Sequence, residues 1–276
     1  MYKRNLVIAS IILLVLVGCA QKVSLQKTGP VMLTQELKVG DTQKYHIEQI
    51  ISNTVTVKGQ TQTQQINMEM EIENSVVKIV ADSVFINVIL TEIAGSINAG
   101  GSFTQIPGLD EIKGETIAAV LLPDGSAEIV EESEVAKDTQ LRLDSFIETL
   151  YGFMPNKEVK SGETWNIERS DDESSTKSIY TFRGMKLGKD KINTLTISVE
   201  SEFSINSQVE KSGMDIKSIL SGTSSSTIQC STENGFVVSQ KSHAAMEGST
   251  EISGSLQGDM ELPTFMNIDV TIKRLK

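Results

Sequence analysis

The chain has 276 residues, of which 25 are basic and 36 are acidic, so its formal net charge is −11 at pH 7. Hydrophobic residues make up 39%, charged residues 22% and aromatic residues 5% of the sequence, which excludes an intrinsically disordered chain and a protein with many membrane spans. A chain this acidic also lacks the basic patch that nucleic-acid binding requires, so we expect no nucleic-acid partner.

The first 18 residues have the pattern of a bacterial signal peptide. Lys3 and Arg4 form a short basic region. The apolar run that follows has about a dozen residues, fewer than the roughly 20 that a membrane-spanning helix needs. The run ends in Leu16-Val17-Gly18-Cys19, which resembles the lipobox of bacterial lipoproteins. The resemblance implies cleavage before Cys19 and acylation of its thiol, and an uncleaved single-span anchor is the alternative.

The anchor predicts a location in the bacterial cell envelope. Several acyl chains hold a protein stably on a membrane where one chain is marginal. Ala20 follows the cysteine, whereas an Asp there retains enterobacterial lipoproteins at the inner membrane. We therefore favour the periplasmic face of the outer membrane or the cell surface. Residues 19–35, which include Gly29-Pro30, are then predicted to form a tether between the membrane and the body.

The body is predicted to be mainly β, with strands in antiparallel pairs. Apolar residues alternate with polar ones, for example at Ile66, Met68, Met70 and Ile72, which is the period of a half-buried strand. The glycine-rich stretch 95–114 interrupts this pattern and predicts a long surface loop that acts as a flap.

One segment has helical spacing instead. Leu143, Phe146, Ile147 and Leu150 follow the i, i+3, i+4, i+7 pattern, which predicts an amphipathic helix over 138–151. In half-barrel lipid-carrier lipoproteins a curved sheet closes on helices around an acyl chain, and this helix, with Phe146, would line such a mouth. A helix that only covers the seam between two halves is the alternative.

An internal repeat predicts how the strands are organised. Residues 37–42 (LKVGDT) match residues 159–164 (VKSGET), and after a two-residue gap Tyr45 matches Trp165. Each match is a turn that leads into a strand with an aromatic residue on its inner face.

We therefore predict two duplicated antiparallel halves that form a curved, barrel-like or sandwich body. The first β half covers residues 36–136 and the second β half covers residues 156–276. The linking helix lies between them, in residues 137–155.

The strand opener, the mid-chain motif and the lipobox together are similar to those of a known family. The opener is Leu37-Lys38-x-Gly40-Asp41-x-x-x-Tyr45, and the mid-chain motif runs from Met154-Pro155 to Trp165. They resemble a family of uncharacterised bacterial envelope lipoproteins. The resemblance covers most of the chain and implies lipid anchoring, but its motifs form turns and strands, so it identifies no functional residue.

The sequence shows no pattern of catalytic or metal-binding residues. His46 and His243 have no second ligand at metal spacing, and His-Glu-x-x-His, Cys-x-x-Cys, P-loop and Gly-x-Ser-x-Gly patterns are absent. We therefore predict a non-enzymatic protein without a metal or cofactor. Cys230, which cannot pair with an acylated Cys19, is predicted to be a buried apolar residue.

The predicted function is binding of an apolar, lipid-like ligand or of an envelope partner. Tyr45 and Trp165 are the first candidates for the ligand wall, because the repeat gives them equivalent inner positions. Met68 and Met70 are further candidates, since flexible thioethers suit an irregular apolar pocket; core filling is the alternative for them. Phe146 is also a candidate. The competing hypothesis is a structural or assembly lipoprotein that docks onto another envelope protein without a small-molecule ligand.

Overall fold

The computed structural model describes residues 25, 29–57, 59–132, 143–171, 173–187, 193–211, 214–254 and 259–276. The predicted signal peptide, Cys19 and residues 138–142 of the predicted helix lie outside them. The strands are β1 (Val31–Leu33), β2 (Thr42–Val57), β3 (Gln60–Val80), β4 (Ser83–Ala99), β5 (Ser102–Gln105), β6 (Thr116–Leu121), β7 (Ala127–Glu131), β8 (Lys157–Val159), β9 (Thr164–Ser170), β10 (Ser174–Leu187), β11 (Asn193–Lys211), β12 (Met214–Ser231), β13 (Val237–Ser253) and β14 (Met260–Arg274).

Two helical elements accompany the strands. A 3₁₀ turn covers Leu109–Ile112, and helix α1 covers Leu143–Tyr151, so the predicted helix is present from Leu143, the first residue of the helical pattern, onward. Within the described residues, no helix has the length and apolar character to cross a membrane.

A single antiparallel sheet contains nearly all of the strands. Its order is β7-β6-β4-β3-β2-β14-β13-β12-β11-β10-β9, with β5 paired to β4, and β1 and β8 form a separate two-stranded ribbon. The two halves of the chain meet where β2 pairs with β14. Because β7 and β9 are edge strands, the sheet is open rather than a closed barrel. The sheet is also curved. The prediction of a mainly β fold with two antiparallel halves and one helix is confirmed.

Each half of the sheet opens with the same turn. Gly40 and Gly162 have φ angles of 93° and 94°, a left-handed conformation that glycine adopts without a Cβ clash. The acidic residue that follows, Asp41 or Glu163, accepts a hydrogen bond from the backbone N–H of the lysine three residues earlier, at 2.8 and 2.9 Å. The two turns are therefore alike in their hydrogen bonds as well as in their sequence.

The turns also dock at matching places on the neighbouring strands. The N–H of Gly40 donates to the Val76 carbonyl at 2.9 Å, and the N–H of Gly162 donates to the Phe182 carbonyl at 2.7 Å. A β-bulge directly follows Val76 in β3 and Phe182 in β10. The equivalence of the halves thus extends from the turn to the strand that packs beside it.

The prediction that Tyr45 and Trp165 occupy equivalent positions is wrong, because they are offset by two residues along their strands. Thr42 and Thr164 begin β2 and β9 at equivalent positions. The two strands therefore align without the two-residue gap that the sequence match assumes. Tyr45 comes three residues after its threonine and Trp165 comes one residue after. The two aromatic residues therefore lie on the inner face at positions two residues apart along the strand.

The hydrophobic core lies toward one end of the sheet, which we call the capped end; it holds the turns 38–41 and 160–163. Helix α1, the β1–β8 ribbon and residues 152–156 cover the inner face there. The largest fully buried side chains are Leu33, Tyr45, Ile47, Met70, Ile72, Ile86, Leu90, Ile112, Ile117, Ile147, Phe153 and Phe182. At the opposite, open end, inner-face residues such as Ile51, Phe203 and Met266 are only half-buried and lie outside this cluster.

The flap predicted for residues 95–114 is wrong. Gly95 lies within β4, β5 returns as a short strand, and Leu109 and Ile112 are buried in the core. A Cβ on Gly95 would overlap the side chains of Ile106 and Leu109. The glycine therefore permits close packing against the sheet instead of providing a flexible loop.

The two edges of the sheet are joined by one arginine and one glutamate. Arg169, on edge strand β9, donates from Nη2 to the carbonyl oxygens of Gly125 at 3.0 Å and Gly152 at 2.7 Å. Its Nε lies 3.5 Å from Oε2 of Glu148 on α1. The other oxygen of Glu148 accepts a hydrogen bond from the N–H of Ala127 on edge strand β7, at 3.0 Å. We call this set of contacts the seam.

Two glycines allow the backbones at the seam to approach each other. A Cβ on Gly125 would overlap the backbone of Gly152, and a Cβ on Gly152 would overlap the Gly125 carbonyl and the Arg169 guanidinium. The sequence suggests only turn roles for both glycines, whereas the structure needs them for this contact.

Replacing Arg169 by Met is expected to lower the free energy of unfolding by about 2–4 kcal/mol, because two carbonyls lose their donor and Glu148 loses an opposite charge in a partly buried site. Urea unfolding followed by circular dichroism measures this change. The matched control is Arg183→Met, which alters an exposed strand arginine and should shift stability by at most about 0.5 kcal/mol. Equal effects of the two substitutions would contradict the role of the seam.

Candidate ligand-binding cleft

A cleft of about 530 Å³ lies beside the seam at the capped end. Its walls come from the β3–β4 turn, the β6–β7 turn, residues 151–157 after helix α1 and the first residues of β9. Clefts of roughly 300–1,000 Å³ are typical of small-molecule sites. Because the walls belong to both halves of the chain, the cleft exists only when the sheet is curved.

The lining combines an apolar wall with a polar rim. The apolar side chains are those of Leu37, Ile79, Val84, Leu121, Leu122, Tyr151, Met154, Trp165 and Ile167. The polar side chains are those of Gln35, Asp82, Asp124, Asn156, Lys157 and Asn166. Such a lining suits an amphiphile, whose apolar part is buried and whose polar part stays near water.

A depression of similar size, about 560 Å³, lies near the open end. Its lining includes Lys177, Glu202 and Glu247, which project from the outer face of the sheet. No helix or ribbon among the described residues contributes to its walls. The cleft at the seam is therefore the better candidate site.

Trp165 forms a rigid base for the cleft. Its indole Nε1 donates to the Phe153 carbonyl at 2.9 Å, and its ring stacks on Tyr180 with centroids 5.4 Å apart. Tyr180 in turn stacks on Phe153 at 6.3 Å. Stacked aromatic rings bury a large apolar area in a fixed geometry, so this wall keeps its shape whether or not a ligand is present.

A second group of aromatic residues lies next to this base. Tyr151 meets Phe236 edge to face with centroids 6.4 Å apart, and its hydroxyl accepts a hydrogen bond from Asn74 Nδ2 at 3.3 Å. Burial raises the pKa of Tyr151 to about 12 and also raises the pKa of Tyr180. Both hydroxyls therefore stay protonated to a higher pH than an ordinary tyrosine hydroxyl.

The rim of the cleft carries a fixed negative charge. Oδ1 of Asp124 accepts hydrogen bonds from the Ser126 hydroxyl at 2.6 Å and from the Ser126 N–H at 3.0 Å. These bonds favour the carboxylate and lower the pKa of Asp124. Asp82 and Lys157 also line the cleft, so both signs of charge are available to a ligand there.

A family model matches most of the body. Residues 42–237 match the model of DUF6263, which is described as a family of unknown function. The chain belongs to the DUF6263 family. No curated protein matches this DUF6263 chain in sequence.

The fold of the DUF6263 chain is similar to part of lipovitellin, from a structure that describes lipid–protein interactions in that protein. The TM-score is 0.55 at 10% identity, and the match covers 87% of this chain and 26% of the lipovitellin chain. The chain therefore spans about a quarter of lipovitellin's length, and at this identity the likeness concerns the fold alone.

Two other structures match at lower scores. An outer membrane channel from Pseudomonas putida F1 has a TM-score of 0.27 at 7% identity, with 87% of this chain and 97% of that chain covered. A DUF1329 protein from Desulfovibrio piger ATCC 29098 has a TM-score of 0.16 at 9% identity, with 84% and 85% covered. Both scores are too low to support a shared fold.

The structure places the five predicted ligand residues at different depths. Trp165 is 8% exposed and lines the cleft. Tyr45 and Met70 are 0% exposed and lie inside the filled core, while Met68 and Phe146 are half-buried and pack against that core. The structure thus brings only Trp165 of the five to the cleft, and ligand contact by any of them stays a prediction.

Sequence reasoning missed most of the cleft because its lining comes from turns rather than from strand centres. Ile79, Leu122 and Met154 are apolar residues next to hairpin turns or a helix end. Apolar residues at such positions are a usable signal, because turns are usually polar. Their meeting at one site, however, depends on the curvature of the sheet.

The remaining reactive groups do not form a site. Cys230 is free and buried, as predicted, and burial raises the pKa of its thiol. His46 lies 3.2 Å from Glu48 and 3.6 Å from Glu69 on the outer face. Across the described ranges, no group of three or more His, Cys, Asp or Glu side chains has an arrangement that holds a metal ion.

The buried tyrosines and Cys230 predict a loss of stability at alkaline pH. Their ordinary pKa values are 10.0 and 9.0, and the folded state raises them, so the unfolded chain releases protons first as the pH rises. The free energy of unfolding should therefore fall between pH 9 and pH 11, as measured by urea unfolding at each pH. In Cys230→Ala the decline should begin about one pH unit later. A free energy that stays constant to about pH 11 would contradict the burial of these groups.

Proposed function

We propose that this chain is a non-enzymatic lipoprotein of the bacterial envelope that binds a lipid-like ligand in the cleft at the seam. In the mature protein residues 1–18 are removed and acylated Cys19 holds the chain on the membrane. The tether is shorter than the predicted residues 19–35, because Val31–Leu33 pair with β8 and Leu33 is buried in the core. The observation that carries the proposal is a cleft with an aromatic base and charged side chains in its lining, built where the two edges of the sheet meet.

The chemistry of the cleft indicates the class of ligand. Each Å² of apolar surface removed from water contributes roughly 25 cal/mol, so an acyl chain against Trp165, Met154 and Ile167 would supply most of the affinity. A charged group could not be buried against these apolar side chains without a large desolvation cost. Its place is the rim, where Asp124 and Lys157 supply both signs of charge. The ligand we propose is therefore an amphiphile with an uncharged or zwitterionic head group.

The position of the tether is consistent with a lipid ligand. The β1–β8 ribbon pairs Leu33 with Lys157, and Lys157 lines the cleft. Gln35, two residues after β1, donates from Nε2 to the Leu150 carbonyl at 2.7 Å and also lines the cleft. An anchored chain would therefore hold the cleft close to the membrane that contains its ligand.

A structural or assembly lipoprotein without a small-molecule ligand is the second candidate. Ile219 and Phe265, on the outer face near the open end, are 45% and 43% exposed. Exposed apolar residues of this size occur at protein interaction surfaces. In this case the cleft would remain empty and the outer face would contact another envelope protein.

Binding can be measured by energy transfer from Trp165, which is the only tryptophan, to the apolar probe N-phenyl-1-naphthylamine. The chain used begins at residue 19 and carries Cys19→Ser. We expect saturable transfer, and in Met154→Glu, which puts a carboxylate into the apolar wall of the cleft, a loss of affinity of about tenfold, or 1.4 kcal/mol. The matched control is Asn206→Glu on an exposed position of β11, which introduces the same charge away from the cleft and should leave affinity unchanged. Equal affinities in all three chains would contradict binding in the cleft.

Anchoring is tested separately in a bacterium that processes lipoproteins. Wild-type chain should appear in the membrane fraction with the mass of a diacylglyceryl group added to Cys19, whereas Cys19→Ser should lose both the mass and the membrane association. Cell fractionation and mass spectrometry make the measurement. A Cys19→Ser chain that stays in the membrane fraction would show that another segment, such as an uncleaved apolar run, holds the protein.

A further inference from the structure

Exposed apolar side chains are concentrated at the capped end. Among the described residues, twelve large apolar side chains are exposed, and half of them lie at this end. They are Met32 at 57%, Val39 at 63%, Val77 at 46%, Ile79 at 40%, Val80 at 44% and Leu275 at 37% exposure. The other six are distributed over the rest of the sheet.

The exposed residues of the first half form a continuous patch. The hydrogen bond from the Gly40 N–H to the Val76 carbonyl, at 2.9 Å, brings Val39 beside Val77. Ile79 and Val80 continue from Val77 to the tip of the β3–β4 hairpin. We call Val39, Val77, Ile79 and Val80 the apolar tip.

The hairpin that carries the apolar tip projects beyond the core. A bulge between Val76 and Lys78 interrupts the alternation of β3, and residues 77–82 are then exposed on both faces of the hairpin. The turn itself is made by Ala81 and Asp82, whose φ angles of 48° and 67° are unusual for residues other than glycine. Val77, Ile79 and Val80 are therefore 40% to 46% exposed on a projecting hairpin.

The tether enters the fold at this same end. Val31 of β1 pairs with Val159 of β8, directly before the turn 160–163 that defines the capped end. Cys19 precedes Gly29, the first residue of the continuous described segment, by ten positions. A chain of this length spans at most about 35 Å when extended. Acylation of Cys19 would therefore hold the capped end, and not the open end, near the bilayer.

We propose that the apolar tip inserts into the interface of the bilayer to which Cys19 anchors the chain. This inference rests on the proposed lipid anchor. Interfacial segments bury apolar side chains to a depth of about 5–10 Å, and a hairpin tip with residues on both faces suits that depth. With a net charge of −11, the chain gains little from anionic lipids, so the contact is apolar and should form on zwitterionic membranes.

Lysines flank the tip in the way that interfacial segments require. The Lys78 ammonium lies over the Phe85 ring at 5.5 Å, at the base of the hairpin, and Lys38 is exposed beside Val39. Long basic side chains can reach head groups while their stems cover apolar surface. Because Ile79 belongs both to the tip and to the lining of the cleft, insertion would also bring the mouth of the cleft to the membrane surface.

The test uses the full lipidated chain in phosphatidylcholine vesicles that contain nitroxide-labelled lipids. An environment-sensitive fluorophore is attached to Val80→Cys, a tip residue that does not line the cleft, and in the control chain to Phe103→Cys; Phe103 is 71% exposed on β5 near the open end. Neither natural cysteine takes the label, because Cys19 is acylated and Cys230 is buried. We expect a blue shift and at least twofold quenching at position 80, and neither at position 103.

Flotation of the same vesicles separates the possible failures. Chains that float but show equal quenching at positions 80 and 103, or no quenching at either, would overturn the insertion of the tip while leaving the anchor intact. Chains that do not float would overturn the lipid anchor and this inference with it. Both labelled positions are exposed, so neither substitution removes a core contact.

Discussion

The guanidinium of Arg169 closes the seam on which the rest of this structure depends. A sheet of this width exposes two edge strands, and here one side chain from β9 binds the turn after β6 and the chain after α1. Glu148 completes the connection by binding both Arg169 and the backbone of β7. Without these contacts the inner face would open, and the aromatic base around Trp165 would lose its opposite wall.

The cleft is a consequence of how two similar halves are joined. Each half begins with the same turn, and the turn docks beside the bulge of its own neighbouring strand, β3 in the first half and β10 in the second. The capped end of the sheet therefore carries two comparable structures. The halves pair continuously at β2 and β14, whereas at the other side the contacts among the described residues come from α1, the β1–β8 ribbon and the seam. Space remains at that second junction, and apolar residues from turns line it. A ligand site at this place would require no catalytic group, in keeping with the proposed binding function.

The sequence predicted those features that depend on local period and failed where distant segments meet. Alternation identified the strands, and helical spacing identified α1, because both patterns record which face is buried. Tyr45 and Met70 were placed on a ligand wall because alternation shows an inner face but not whether α1 and the β1–β8 ribbon fill the space above it. Arg169 was missed because a lone arginine in a polar strand end resembles any solvated residue. Gly95, Gly125 and Gly152 suggested flexibility or turns, whereas their role depends on backbones that approach them from elsewhere in the chain.

The most direct test of the central claim, that the cleft at the seam holds a lipid-like ligand, is native mass spectrometry of the chain purified gently from a bacterial envelope. The same sample is measured again after organic extraction. Our account predicts an additional mass of lipid size, bound in a ratio of one per chain, that extraction removes. A single ligand-free mass in samples from every bacterial host would contradict it and would favour a lipoprotein that acts through a protein partner.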